Sequence, residues 1–210
     1  MKVRTQERRD AIVRAAAELF EELGYEAASM SELSKRLGGS KATLYGYFAS
    51  KEELLQAVVQ AFSTGHLSDA TAGLTADLER GIAGAAALRA ALIAFGERAL
   101  KVLTNDRTAA AIYRIVVAAS GRSDVGRLFH DAGPKQSVDA LAALMKGAIA
   151  RRELRALDPR VLAMQFLALL TAEISARICE SDPPPVRPAQ IRLMVERAVD
   201  LLLLGASPRK

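Results

Sequence analysis

Residues 29–59 read SMSELSKRLGGSKATLYGYFASKEELLQAVV, and this stretch decides the fold of the first part of the chain. Ser29 lies three residues before Glu32, which is the spacing of a capping box that opens a helix. Gly38 and Gly39 then end that helix, because glycine readily adopts the left-handed conformation that follows a helix C-terminus. The stretch therefore predicts a short helix that begins after Ser29 and stops at a tight glycine turn.

Two more helix starts follow the glycine turn. Ser40 can cap a short helix over residues 41–47, and Ser50 with Glu53 forms another capping box that opens a longer helix. Two short helices joined by a tight turn are typical of the helix-turn-helix, whose second helix enters the major groove of DNA. On spacing alone, a plain helical hairpin with surface Tyr and Lys side chains fits equally well.

The rest of the chain also shows a helical pattern. Alanine and leucine dominate it, and no segment alternates apolar with polar residues. Residues 63–80, which are polar and interrupted by glycine, are expected to form a frayed helix end and a loop. Further helices are expected over about residues 5–23, 85–103, 107–119, 125–131, 135–152, 158–179 and 189–204. The sequence therefore predicts an all-α protein.

The composition excludes several classes of protein. Half of the 210 residues are apolar and a quarter are charged, which is typical of a globular chain. One cysteine and two histidines exclude a disulfide framework and a multi-cysteine metal site. No nucleophile-elbow, phosphate-loop or metalloprotease motif occurs, so we expect no enzyme activity, no metal and no cofactor.

The sequence gives no sign of a membrane or of export. The N-terminus lacks the apolar region of a signal peptide. The most apolar run without a charge covers residues 161–172, which is short of the roughly 20 residues that span a bilayer. We therefore expect a cytoplasmic protein without a membrane partner.

The charge pattern favours nucleic acid over other partners. The net charge is +5 and the pI about 9.6, which alone is a weak argument, because most such surpluses are solvated surface. Residues 29–51 carry a local surplus within the helix-turn-helix pattern: Lys35, Arg36, Lys41 and Lys51 against Glu32 alone. A compact basic stretch inside such a motif is the stronger indication.

A longer stretch resembles a known family. Residues 15–59, AAAELFEELGYEAASMSELSKRLGGSKATLYGYFASKEELLQAVV, are similar to the DNA-binding domain of the TetR family of transcriptional regulators, and the likeness covers about residues 6–66. The resemblance implies an N-terminal three-helix helix-turn-helix domain over residues 1–50. It implies a larger helical ligand-binding and dimerisation domain over residues 51–210. A homodimer of this kind binds a palindromic double-stranded DNA operator and, as a repressor, is released by a small hydrophobic ligand.

The resemblance also assigns roles to individual residues. Lys41, Ala42 and Tyr45 stand where family members contact bases. The positions at which family members bind phosphates are occupied by Ser29, Thr43, Tyr47 and Lys51. Leu33, Leu44 and Phe48 stand at core positions of the motif.

Three residues depart from the family pattern. Gly39 stands where relatives usually carry Val, Ser34 where Ala is usual, and Gly46 where a bulky side chain is common. We expect Gly39 to have a negative φ, by analogy with the relatives that carry Val there. Because of Gly39 and Gly46, an all-α small-molecule-binding or enzymatic protein that has lost DNA binding remains the alternative.

The C-terminal part resembles AefR-like members of the family over about residues 105–170, which implies a small-molecule effector without naming it. Aromatic and amide side chains on apolar helix faces are candidates for the ligand pocket: Phe95, Tyr113, Phe129, Gln165 and Phe166. Aromatic residues at helical spacing are, however, more often plain core, and Gln165 could face solvent or the partner subunit. Apolar stripes on the last two long helices predict the dimer interface at Leu162, Leu169, Leu170, Ile191, Val195, Val199 and Leu202.

Overall fold

The computed structural model describes residues 5–119, 125–132, 134–180 and 183–208. In these ranges the chain forms ten α-helices and one short 3₁₀ helix, Ser175–Cys179, with no strand, which confirms the all-α prediction. The α-helices are α1 Gln6–Ala27, α2 Met30–Arg36, α3 Lys41–Tyr47, α4 Lys51–Glu79, α5 Ala85–Asn105, α6 Arg107–Ala119, α7 Val125–Ala132, α8 Pro134–Ala150, α9 Pro159–Ala172 and α10 Pro188–Ala206. Within the described ranges, none of them is both long and apolar enough to cross a bilayer.

The predicted capping residues begin the helices of the N-terminal region. The Ser29 hydroxyl accepts a hydrogen bond from the Glu32 amide at 3.1 Å, and α2 follows. At the start of α4, the Ser50 hydroxyl accepts from the Glu53 amide at 3.1 Å, and the Glu53 carboxylate accepts from the Ala49 amide at 2.6 Å. This arrangement is a variant of the capping box, because the Glu53 carboxylate binds the amide of Ala49, the residue before the N-cap, and not the amide of Ser50 itself.

The chain divides into two compact units. The N-terminal unit comprises residues 1–65 and 107–132, and the C-terminal unit comprises residues 66–106 and 133–210. In the N-terminal unit, α1, α2, α3 and the first half of α4 enclose a core in which Leu33, Leu44 and Phe48 are at most 2% exposed. The three core positions implied by the family resemblance are therefore buried.

α6 belongs to the N-terminal unit, although it follows α5 in the chain. Its Ile112 and Val116 side chains are buried in the same core as α1. At its start, Arg107 lies 3.4 Å from the Glu21 carboxylate, and the Thr108 hydroxyl also donates to Glu21. The compact units consequently do not divide at residue 50, where the sequence analysis placed the boundary between the two functional domains.

The C-terminal unit is built on close helix packing. α10 packs against α5 and α9, and α8 packs against α9. At Gly96 of α5, an added Cβ would lie 2.7 Å from Val195 Cγ1 and 2.9 Å from Leu170 Cδ2. Glycine at this position therefore allows α5 to approach α9 and α10 more closely than any other residue would.

Two helix boundaries differ from the sequence prediction. α4 continues to Glu79, where a loop was expected, because Leu74 and Leu78 pack into the core of the C-terminal unit. Tertiary packing of this kind outweighs the low helix propensity of the segment. α9 ends at Ala172 and not near residue 179, and beyond its end Glu173 pairs with Arg197 while Ile174 is buried.

Candidate nucleic-acid interface

The turn between α2 and α3 is closed by two backbone hydrogen bonds. The Gly38 amide donates to the Lys35 carbonyl at 3.1 Å, and the Gly39 amide donates to the Ser34 carbonyl at 3.0 Å. This pair of bonds is the Schellman arrangement, which needs a left-handed residue just after the helix. Gly38 supplies it with a φ of 60°, whereas Gly39 is not among the residues of positive φ. The expectation that Gly39 lacks a positive φ is therefore confirmed.

Gly39 and Ser34, two of the residues that depart from the family pattern, are joined by one of these hydrogen bonds. An apolar contact between these two positions commonly supports the Schellman motif. Here Arg8 of α1 covers the turn, since its Nη2 atom donates to the Leu37 carbonyl at 3.2 Å. A Cβ added to Gly39 would lie 3.6 Å from the same Nη2 atom. The guanidinium of Arg8 thus lies beside Gly39, where a larger residue would place its side chain.

The three residues predicted to contact bases lie exposed on α3. Leu44 anchors the helix in the core at 2% exposure, while Lys41 and Ala42 are exposed and Tyr45 is 50% exposed. Lys41 has no ion-pair partner within the described part of the chain. Ala42 offers little bulk at the start of the helix, so its backbone can approach a ligand closely.

Two of the residues predicted to bind phosphates lie at the two ends of α3. At its start, the Ser40 hydroxyl accepts from the Thr43 amide at 3.1 Å and lies 2.9 Å from the Thr43 hydroxyl. At its end, the Tyr47 hydroxyl accepts from the Thr5 amide at 3.3 Å. This bond occupies an acceptor position of the Tyr47 oxygen, and the hydroxyl proton remains available for donation.

The other two predicted phosphate ligands lie at the starts of α2 and α4. Ser29 caps α2, as described above. The Lys51 Nζ atom donates to the Glu26 carbonyl at 3.3 Å and lies 4.2 Å from the ring centroid of Tyr25. Both contacts are made to the end of α1, so this lysine is held at a defined place beside α2.

Four of the seven predicted DNA-contact residues line one open cleft of about 560 Å³: Ser29, Lys41, Tyr45 and Lys51. The cleft lies between α3 and the starts of α2 and α4, and Glu52 is its acidic member. It combines two ammonium groups with hydroxyl groups from three serines and a tyrosine. Such a donor set suits the phosphates and base edges of nucleic acid.

Carboxylates neutralise the two other cations of the helix-turn-helix. Glu22 accepts both guanidinium branches of Arg36, at 3.0 and 2.5 Å, and Glu32 lies 3.5 Å from Lys35. The hydrogen bonds from Arg36 hold the pKa of the Glu22 carboxyl below its ordinary value, so this pair is ionised at neutral pH. The local positive charge is thereby concentrated on the two lysines of the cleft.

Tyr25 and Glu52 also lie beside the cleft residues, although neither was expected from the sequence. Burial raises the pKa of the Tyr25 hydroxyl, and the negative charges of Glu52 and Glu26 raise it further. The pKa of the Glu52 carboxyl is lowered by its own backbone amide and by the Ser50 hydroxyl. Glu52 is therefore ionised at neutral pH, and its negative charge lies near the Tyr25 hydroxyl. An aromatic residue directly after Gly24, the glycine that interrupts α1 at φ 75°, was the available signal.

The five predicted pocket residues do not gather at one place in either unit. Phe95 and Phe166 are fully buried in the C-terminal unit, with ring centroids 6.2 Å apart. Tyr113 and Phe129 form a second ring pair at 5.7 Å in the N-terminal unit. Gln165 is exposed on α9. Within the described ranges, no three potential metal ligands come together either.

Six of the seven predicted dimer residues are buried within their own chain: Leu162, Leu170, Ile191, Val195, Val199 and Leu202. The stripes on which the prediction rested therefore face the core of the C-terminal unit, and among these residues only Leu169 is part-exposed. Other apolar side chains of α9 and α10 remain at the surface, with Val161 48%, Met164 56%, Leu201 60% and Leu204 82% exposed. Gln165, Leu169, Val161 and Leu201 line a groove of about 670 Å³ between the two helices.

Family profiles match most of the chain. Residues 12–58 match the bacterial regulatory proteins of the tetR family, and residues 90–205 match the C-terminal domain of the AefR-like transcriptional repressors. The HTH-type transcriptional activator FasR of Mycolicibacterium smegmatis is 40% identical over 89 residues, which is 42% of this chain and 39% of FasR. The chain thus matches less than half the length of this curated relative.

Solved structures match over nearly the whole chain. The Flavonoid-responsive Regulator FrrA is 30% identical, with a TM-score of 0.69, and the alignment covers 98% of this chain and 100% of that one. FadR from Bacillus subtilis, solved in complex with stearoyl-CoA, shares the fold at 17% identity and a TM-score of 0.72, over 95% of this chain and 99% of that one.

Proposed function

The chain belongs to the TetR family of bacterial transcriptional regulators, and from this premise we propose that it is a dimeric repressor of a palindromic operator, released by a small hydrophobic ligand. The observation that carries the proposal is the cleft beside α3, where Ser29, Lys41, Tyr45 and Lys51 meet. The match to the AefR-like repressor domain supports repression. The family consists of regulators and not of enzymes.

Each group in the cleft has a defined task in this proposal. α3 enters the major groove, where Lys41 donates to a guanine edge and Tyr45 contacts a neighbouring base. Ala42 lets the helix approach, because it has no bulk beyond Cβ. Phosphates on either side of the groove are bound by Thr43, Tyr47, Lys51 and Ser29. These contacts fix the register of α3 on the duplex.

The dimer of this proposal uses the exposed apolar side chains of α9 and α10. A surface that leaves Met164, Leu201 and Leu204 more than half exposed is unusual on a monomer and favours a protein contact. Leu169, at the edge of the groove between the two helices, is the one originally predicted interface residue that keeps this role. A two-fold dimer presents two copies of α3 to two half-sites.

The ligand of this proposal acts through the C-terminal unit. A small molecule there weakens operator binding only if it prefers one of two arrangements of the dimer. α4 is the candidate lever, since it begins at Lys51 in the cleft and ends at Glu79 in the C-terminal unit. The similarity to the flavonoid-responsive regulator FrrA supports a flavonoid-like compound. A coupling of ~1–3 kcal/mol changes operator affinity roughly 5–150-fold.

Two lysine variants test the proposed roles in the cleft. Lys51→Met should weaken binding to all duplexes alike and reduce the salt dependence of log K by about one unit, because one phosphate contact is lost. Lys41→Ala should relax the preference at one operator position, which corresponds to ~1–3 kcal/mol of discrimination. Fluorescence anisotropy over a salt series, with matched and mismatched duplexes, measures both effects. A sequence preference changed by Lys51→Met and left intact by Lys41→Ala would contradict the assignment.

A further inference from the structure

Lys51 is held in place by an aromatic ring that the sequence analysis did not identify. Its Nζ atom lies 4.2 Å from the centroid of the Tyr25 ring and donates to the Glu26 carbonyl at 3.3 Å. Gly24, with a φ of 75°, interrupts α1 immediately before these two residues. A residue with a side chain rarely adopts this φ, so the glycine allows α1 to kink and the Tyr25 ring to face α4.

The Tyr25 ring is itself fixed by its neighbours. It packs edge-on against Phe20, with the centroids 5.4 Å apart and the planes at 72°. Glu52, the residue that follows Lys51 in α4, lies close enough for its negative charge to raise the pKa of the Tyr25 hydroxyl, although burial is the larger cause. The ring therefore has a core contact with Phe20 and the ammonium of Lys51 over its face.

Such an arrangement fixes the lysine side chain before a phosphate binds. A free lysine side chain loses up to ~2 kcal/mol of conformational entropy when it is immobilised, and this cost normally weakens binding. An ammonium over an aromatic face keeps its charge, and the attraction to the ring does not require a hydrogen bond from one of its N–H groups. Of the three Nζ protons of Lys51, one is donated to Glu26, and others stay available on the side of the cleft.

We propose that Tyr25 is a positioning residue for operator binding: its ring holds the Lys51 ammonium at the mouth of the cleft, in the place where a DNA phosphate is bound. The inference rests on the proposed function, because it concerns the affinity of the same cleft for DNA. Tyr25 does not contact the phosphate and acts only through Lys51.

A double-mutant cycle separates this role from plain packing. The probe is the duplex that the wild-type protein selects from a random pool, and the affinity is measured by anisotropy for wild type, Tyr25→Leu, Lys51→Met and the double variant. Tyr25→Leu should weaken binding about threefold to tenfold, the range of a cation–π contact. In the Lys51→Met background the same change should have no further effect. Tyr25→Phe, which keeps the ring, should stay close to wild type.

Ile12→Val is the matched control, since it disturbs the same core near the start of α1, away from the Tyr25 ring. Its effect on affinity should add to that of Lys51→Met, and denaturant unfolding reports the stability loss of every variant. Full additivity between Tyr25→Leu and Lys51→Met would overturn the inference while operator binding itself stands. If Tyr25→Leu does not fold, loss of affinity in Tyr25→Phe equal to that in Lys51→Met would overturn it as well. A wild-type protein that selects no duplex at all would instead overturn the proposed function.

Discussion

At the scale of single residues, a side chain added to each of the two glycines of the α2–α3 turn should change the free energy of unfolding in opposite directions. Gly38 has a φ of 60°, and alanine there should destabilise the N-terminal unit by ~1 kcal/mol or more. Gly39 does not have a positive φ, and an added Cβ would lie 3.6 Å from the Arg8 guanidinium, which is an ordinary contact distance. Gly39→Ala should therefore stabilise by ~0.4–1 kcal/mol, because it restricts the unfolded chain. Urea unfolding of both variants checks this, and equal destabilisation by the two would contradict it.

Local contacts at single residues could be predicted from the sequence, and distant ones could not. The caps at Ser29 and Ser50 use amides three residues away, so their spacing is visible in the sequence. The contact of Lys51 with Tyr25 joins residues on two helices and exists only once α1 and α4 have packed. Arg8 covers the glycine turn from α1 for the same reason. The contacts of Tyr25 and Arg8 could therefore not be predicted from the sequence.

At the scale of elements, the pattern that marks an apolar face does not say what covers it. α10 carries apolar residues on two faces: Ile191, Val195 and Val199 are buried in the chain, whereas Leu193, Leu201 and Leu204 are exposed. The regular stripe that predicted the subunit interface is buried in the core of the C-terminal unit. The end of α4 was missed for a related reason, because only packing of Leu74 in the C-terminal unit reveals it.

Glu153 joins the end of α8 to the start of α5. Its carboxylate accepts from the Gly84 amide at 2.7 Å and from Arg151 Nε at 2.7 Å. The hydrogen bonds from Arg151 lower the pKa of Glu153, the Gly84 amide lowers it further, and burial opposes both. Because the folded pKa lies below the unfolded value of about 4.3, the stabilisation is complete above that pH and is lost as pH falls through the folded pKa.

The Glu153→Gln variant tests this link between elements. At pH 7 it should lower the free energy of unfolding by about 1 kcal/mol, the scale of one charge-assisted hydrogen bond that is partly screened by solvent. The difference from wild type should shrink below about pH 4, where the wild-type carboxyl also becomes neutral. Glu97→Gln, a surface carboxylate 4.0 Å from Arg192, is the control and should show little effect at either pH. A difference that stays constant with pH would contradict the assignment.

At the scale of the whole molecule, the proposed function assigns DNA recognition and dimer formation to different units of the chain. The cleft with Lys41 and Lys51 belongs to the N-terminal unit, and the exposed apolar faces of α9 and α10 belong to the C-terminal unit. The three-helix arrangement could be predicted from the family resemblance, because the motif is contiguous in sequence, and the same resemblance supplies the proposed DNA-contact residues. The pocket residues could not be predicted in this way, since aromatic residues at helical spacing mark core and cavity alike.

The most direct test of the central claim is selection of duplexes from a random pool by the purified wild-type protein, followed by sequencing of the bound DNA. The account predicts strong enrichment of an inverted repeat, whose half-sites lie about one helical turn, or a multiple of it, apart. In the same selection, Leu201→Glu should bind a single half-site more weakly, because a charge in the apolar interface separates the subunits. No enrichment by the wild-type protein, or enrichment of a motif without two-fold symmetry, would contradict the account.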